Sequence, residues 1–345
     1  MSPTAASALV VEHSEDAART MADGIGHALA GVCAVPATPA DAVELARKCR
    51  PDVITVSLAL ARGGGLRIIK ELLRNRKVPI IAVSSLQLGG SDSLPFRALK
   101  AGACDLMIRP SSGGVAAEKH FLSTLADRVK ALAAACGDGF QPHVPRAGKA
   151  ASDSKNGRVE CIVVGASTGG PLALVQLLRG MGTNFPTPVV VVQHIATPFV
   201  DGLVRWLDDE TPLHVSVAED GLAPQKDHAY IAPGGSDLVF DAGGGQPLQP
   251  PTTAGRIIVP SADALFESAA HRFHDRCAGV ILTGMGRDGA AGLLKMRSRG
   301  AKTFGQEKAS CTVFGMPEAA DSLGAVGEFA DPEDIGRQLR TLTEG

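Results

Sequence analysis

Apolar positions along the chain gather into short runs. Between the runs lie longer stretches in which apolar residues recur every three or four positions. The runs Ala8–Val11, Val32–Val35, Asp52–Val56, Val78–Val83 and Asp105–Ile108 predict strands. Helical patterns fill the intervals: Ser14 as N-cap through Leu29, Thr38 or Pro39 to Cys49, Gly65–Arg74, Leu94–Ala101 and Val115–Ala135. Five strand–helix units in succession predict a parallel (βα)5 sheet covered on both faces, over residues 1–135. The periodicity then lapses in CGDGFQPHVPRAGKAASDSKNGR, residues 136–158, which reads as a linker.

The alternation resumes over residues 159–345. Strands are predicted at Cys161–Val164, Pro188–Val192, Val215–Ala218, His228–Ile231, Leu238–Phe240, Gly279–Thr283 and Lys302–Gln306. Helices are predicted at Pro171–Arg179, Pro198–Asp208, from Ser261 to His274, Gly289–Arg299 and Pro332–Leu342. This predicts a second, doubly wound and mostly parallel α/β domain.

Composition narrows the function classes. The 345 residues exceed what one core usually fills. A formal net charge of −2 gives no electrostatic case for nucleic acid or an anionic membrane surface. No apolar run approaches the ~20 residues needed to span a bilayer, and the start MSPTAASALVVEHSED lacks the basic residues of a signal peptide. The seven cysteines are scattered without a CxxC pair, which points to a reducing, cytoplasmic setting with neither disulfide framework nor zinc site. A monomer is the default expectation.

The candidate chemistry sits at strand ends. Gly165-Ala-Ser167-Thr-Gly169 fits the G-x-S-x-G strand–turn–helix pattern that lifts a serine hydroxyl above a sheet edge. A serine hydroxyl needs a base and a group to orient that base. The run Pro188–Val192 delivers His194, and Gly279–Thr283 leads to Asp288. In open α/β sheets, ligands bind at the carboxyl ends of the strands. The three residues are therefore expected on one rim as nucleophile, general base and orienting carboxylate. Each alone has a plainer reading: Ser167 a turn residue, His194 structural, Asp288-Gly289 a helix cap. A dinucleotide fingerprint would want glycine at 167, where the serine side chain obstructs a pyrophosphate, and no Walker lysine is present.

With these residues identified, VVGASTGGP (163–171), VVQHI (191–195), YIAPGG (230–235), VILTGMGRDGAAGL (280–293) and VFGMPEAA (313–320) resemble the catalytic domain of the chemotaxis protein-glutamate methylesterases, the CheB family. The resemblance spans about residues 160–342. It implies hydrolysis of methyl esters on glutamate side chains of chemoreceptor cytoplasmic helices, and in many members deamidation of receptor glutamines. It puts the family's nucleophile at Ser167, its histidine at His194 and its aspartate at Asp288, with backbone N–H groups of Thr168 and Met285 as oxyanion donors. It implies neither metal nor organic cofactor. Ile195, Asp237 and Glu307 depart from the family's usual methionine, histidine and aspartate.

The family's first domain is a response-regulator receiver, and the five βα units fit that fold. Its chemistry is degenerate here. Glu12 and His13 stand where two acidic residues are expected, and Ser57 replaces the phosphorylated aspartate. Ser84 lies near the switch hydroxyl position, and Arg109 replaces the lysine before Pro110. A serine cannot form an acyl phosphate, and the Mg²⁺ site loses charged ligands. The expectation is a pseudo-receiver, able to contact chemotaxis signalling proteins but not phosphorylated by the usual route. Two other readings remain open on sequence: a non-catalytic scaffold that docks receptors, and a nucleotide-binding regulator built on the glycine loop.

Overall fold

The structure, a computed structural model, describes residues 6–28, 31–60, 63–85, 94–136, 159–241, 248–249 and 259–344. The expected linker lies outside the described residues, save Cys136. The chain divides into two compact units, Met1–His143 and Val144–Gly345.

In the first unit, strands β1 (Ala6–Val11), β2 (Val32–Ala37), β3 (Val53–Ser57), β4 (Ile80–Ser84) and β5 (Asp105–Ile108) alternate with helices α1 (Glu15–Ala28), α2 (Ala42–Cys49), α3 (Gly64–Asn75), α4 (Leu94–Lys100) and α5 (Gly114–Cys136). The sheet is wholly parallel, in the order β2-β1-β3-β4-β5. Central strands are buried on both faces, so they read as unbroken apolar runs: Leu9, Ile54, Val56, Ile80 and Ile81 are all inaccessible. Helix α2 starts four residues later than Thr38. The Thr38 N–H and hydroxyl both donate to Asp41 Oδ1, at 2.6 and 2.9 Å, and hold residues 38–41 in a turn before the helix.

The second unit is built from β6 (Cys161–Ala166), α6 (Gly170–Met181), β7 (Val189–Gln193), α7 (Val200–Glu210), β8 (His214–Val217), β9 (His228–Ile231), β10 (Val239–Phe240), β11 (Leu248–Gln249), α8 (Ala262–Phe273), β12 (Cys277–Ile281), α9 (Ala290–Ser298), β13 (Lys302–Gln306), α10 (Met316–Ser322), β14 (Glu328–Ala330) and α11 (Pro332–Glu344). Seven strands form a parallel sheet in the order β14-β13-β12-β6-β7-β9-β8, and β10 pairs antiparallel with β11 outside it. The sequence pattern missed β11, α10 and β14, elements of two, seven and three residues that are too short to show a period.

Helix α8 packs over the sheet. Its Leu265, Phe266 and Phe273 join Val163, Val190 and Val192 in one core, with Phe240 and Phe273 edge to face at 5.0 Å between ring centroids. Strand order turns at β6, with β12 on one side and β7 on the other. The carboxyl end of β6 is thus the switch point at which such sheets bind ligands.

Candidate active site

Ser167 follows β6, His194 follows β7, and Asp288 lies in the loop from β12 to α9. Backbone registration makes them neighbours. The His194 N–H donates to Ala166 O at 2.9 Å, and the Ser167 N–H donates to Thr283 O at 3.0 Å. Gln193 ties the first two together: its Nε2 donates to Ser167 O at 2.9 Å and to His194 O at 3.0 Å. Ser167 and Asp288 are only 8% and 9% exposed, so charge changes here occur away from bulk water.

The bend at the serine differs from a strained nucleophile turn. Ser167 does not have positive φ; the left-handed residue is Gly169, with φ 80°. Glycine adopts this conformation at no steric cost, so the sharp entry into α6 is absorbed two residues past the serine. Thr283 ties the Thr168 backbone to the loop after β13: its hydroxyl donates to Thr168 O at 3.0 Å, and the Val313 N–H donates to Thr283 Oγ1 at 3.0 Å.

His194 Nε2 lies 2.9 Å from Asp288 Oδ2. That carboxylate receives three further donors. The Ala262 N–H reaches Oδ2 at 2.6 Å, while the Ser261 hydroxyl and the Asp263 N–H reach Oδ1 at 2.8 and 3.2 Å. Burial pushes the Asp288 carboxyl up. The His194 hydrogen bond and charge, the Ala262 N–H and the Ser261 hydroxyl together outweigh burial and hold it below the ordinary carboxylate value. Asp288 is therefore an anion at neutral pH and fixes the histidine tautomer. In the neutral imidazole Nε2 then carries the proton toward it, and Nδ1 is the acceptor nitrogen. No Ser167–His194 side-chain hydrogen bond is formed among the described residues, as is common before substrate arrives.

Thr168 is buried and Met285 half-buried, the latter one residue from Gly284. A Cβ at Gly284 would lie 2.7 Å from Ser167 Cβ. Among the described residues neither the Thr168 nor the Met285 N–H donates to a backbone carbonyl.

Sequence reasoning missed Gln193, Ser261 and Asp263 as parts of this site. Ser261 carried a helix-cap signal, which showed where α8 begins but not which carboxylate its N-terminus meets. Asp237, which departs from the family's usual residue, is buried and accepts the Ser261 N–H at 2.7 Å.

A second polar cluster lies at the switch point of the first unit. Glu12, Ser57 and Ser84, at the ends of β1, β3 and β4, are all buried. Arg109 extends over this edge. Its Nε and Nη2 donate to Glu118 Oε1 at 3.1 and 2.8 Å, and its Nη1 lies 4.0 Å from Glu12 Oε1. His13 Nδ1 is 3.4 Å from Glu12 Oε2. Glu118, on α5, gave no signal in the sequence. Among the described residues no group of three or more histidine, cysteine or carboxylate side chains is arranged to hold a metal ion.

A family model described as CheB methylesterase matches residues 162–339. The chain is 38% identical over 315 residues to the protein-glutamate methylesterase/protein-glutamine glutaminase 2 of Anaeromyxobacter dehalogenans, covering 90% of this chain and 89% of that one. It is 38% identical over 324 residues to protein-glutamate methylesterase/protein-glutamine glutaminase 1 of Burkholderia pseudomallei strain 1710b, covering 89% and 88%. The crystal structure of the Thermotoga maritima CheB methylesterase catalytic domain is similar at 34% identity and a TM-score of 0.50, over 53% of this chain and 98% of that one. On the family match and on relatives of this identity spanning nearly the whole chain, the protein belongs to the CheB methylesterase family.

Proposed function

We propose that residues 159–345 form a serine-type hydrolase that removes methyl esters from glutamate side chains on chemoreceptor cytoplasmic helices, and that it also deamidates receptor glutamines. One observation supports the reading: His194, after β7, and Asp288, in the β12–α9 loop, lie 2.9 Å apart, and Gln193 ties the backbones of His194 and Ser167 together.

In this mechanism His194 Nδ1 takes the Ser167 proton as Oγ attacks the ester carbonyl. The Thr168 and Met285 N–H groups receive the developing oxyanion. Nδ1–H then protonates the departing methoxide, and methanol leaves. Nδ1 next takes a proton from water, whose oxygen attacks the acyl group; as the acyl–Oγ bond breaks, Nδ1–H returns that proton to Ser167 Oγ, which frees the glutamate carboxylate and regenerates the serine and the neutral imidazole. With glutamine the leaving group is ammonia, by the same proton transfers. Asp288 stays ionised throughout and stabilises the imidazolium. Methanol release from methylated receptor membranes, compared with Ser167→Ala, is the test. Equal rates would discard the reading.

Residues 1–135 act, in this proposal, as a pseudo-receiver linked through 136–158. Ser57 offers no carboxylate to phosphorylate, and Arg109 supplies a fixed positive charge beside Glu12 where a metal ion would otherwise be needed. The domain's input is then a protein partner of the chemotaxis system rather than a phosphoryl group. Stoichiometric phosphate on these residues after incubation with a small phosphodonor and Mg²⁺ would overturn this part alone.

A further inference from the structure

Helices α8 and α9 begin side by side, and each supplies the cap of the other. Asp288, just before α9, accepts from Ala262 and Asp263 at the start of α8. Asp263, in α8, accepts the Gly292 N–H of α9 at 2.6 Å. A helix N-terminus exposes unpaired N–H donors and a partial positive charge, so each carboxylate satisfies both demands of the neighbouring helix.

The close approach depends on Gly165, in the strand that leads to Ser167. A Cβ there would lie 2.9 Å from Ala262 Cβ, nearer than such atoms come, and 3.2 Å from the Phe266 ring. The first glycine of G-x-S-x-G therefore makes room for the start of α8. It also brings the helix that binds Asp288 against the strand that carries the serine.

Ser261 is the residue on which this junction turns. It is buried, caps α8 by accepting the Ala264 N–H at 3.3 Å, and donates its only hydroxyl proton to Asp288 Oδ1. Its own N–H is held by Asp237. We infer that Ser261 is a positioning residue for the hydrolysis, setting the orientation and proton affinity of Asp288, and through it those of His194, with Asp263 as its counterweight. The inference rests on the assignment of Ser167, His194 and Asp288 under Proposed function.

The charged and titratable groups around Asp288 are His194 after β7, Asp263 of α8, Asp237 before β10 and its chain neighbour Arg287. Loss of the Ser261 hydroxyl leaves Asp288 a stronger base, which stabilises the imidazolium and raises the pH at which His194 loses its proton. Replacing Asp263 by asparagine keeps an acceptor for Gly292 but removes a like charge from beside Asp288, and the shift has the opposite sign. A purely structural role for these residues predicts no such pair of opposed shifts.

The test uses the full chain and methylated receptor membranes, with Ser167→Ala as reference. If wild type and Ser167→Ala release methanol equally, the hydrolase reading fails and this inference falls with it. If the wild type is active, Ser261→Ala is expected to lower kcat roughly ten- to hundredfold at little change in KM. It should also move the acid limb of kcat/KM to higher pH. Ser261→Thr restores both, and Asp263→Asn moves the limb to lower pH. NMR titration of His194 in each variant reads the same shifts without turnover. Wild-type activity with unmoved limbs, or limbs that move the same way in both variants, would overturn the inference. Should Ser261→Ala fail to fold, the threonine and asparagine variants decide it.

Discussion

His194 presents Nε2, not Nδ1, to Asp288 Oδ2 at 2.9 Å. In the proposed mechanism Nδ1, the nitrogen nearer the backbone, is therefore the one that serves Ser167. That suits the register: the His194 N–H is bonded to Ala166, so histidine and serine start from adjacent backbone positions and a short reach suffices.

This pairing fixes a tautomer. Nitrogen-15 NMR of the neutral enzyme should show His194 protonated on Nε2. Asp288→Asn, which can offer Nε2 a donor in place of an acceptor, should shift the proton to Nδ1 and lower kcat by about 10⁴. An Nδ1–H tautomer in the wild type would contradict the assigned roles.

Gln193 bridges the carbonyls of Ser167 and His194 from a fully buried position. Gln193→Leu leaves the His194 carbonyl without that donor and should cost about 1–3 kcal/mol of stability, read by urea denaturation. Gln193→Glu keeps the shape but presents only acceptors to two carbonyl oxygens, and should cost at least as much. Leucine tolerated without loss would show that the bridge does not hold the two residues together.

Much of this arrangement was legible in the sequence, because both sheets are parallel and buried. Their strands stand out as apolar runs, and the residues after those runs must share an edge. Ser167, His194 and Asp288 are expected near one another on that ground. What stayed hidden depends on contacts between elements far apart in the chain. Ser261 announced a helix start, but its bond to Asp288 spans 27 residues and follows from how α8 lies on β6. Glu118 took up Arg109 from a helix whose pattern predicts only that it is a helix. Ser167 also lacks the strained backbone that its motif implies, since Gly169 makes the turn.

The two capping carboxylates carry opposite pH signatures. The Asp288 carboxyl is held below its ordinary value of 3.8 in the folded chain, so its contribution to stability is complete above about pH 4 and is lost as pH falls through the lowered folded value. Asp263 is pushed above 3.8, chiefly by burial and, beyond its Gly292 bond, by the Asp288 charge, so its ionisation costs stability as pH rises through that raised value. Stability measured against pH should accordingly lose its steepest acid dependence in Asp288→Asn. Asp263→Asn should be more stable than the wild type at neutral pH. A less stable Asp263→Asn would mean that its cap outweighs its buried charge.

At the first unit's switch point, Arg109 is engaged by Glu118 and lies near Glu12. Calorimetry should detect no Mg²⁺ binding by residues of this edge, and Arg109→Ala, which uncovers Glu12, should be the variant in which weak binding appears. Tight Mg²⁺ binding by the wild type would contradict a permanently neutralised site.

The proposed hydrolysis depends on a covalent bond from the Ser167 hydroxyl to substrate. Acid quenching during turnover of a methylated receptor fragment, followed by peptide mass analysis, measures this directly. A glutamyl adduct is expected on Ser167, absent in Ser167→Ala and not formed in His194→Ala. Methanol release without any adduct, or an adduct on another residue, would contradict it.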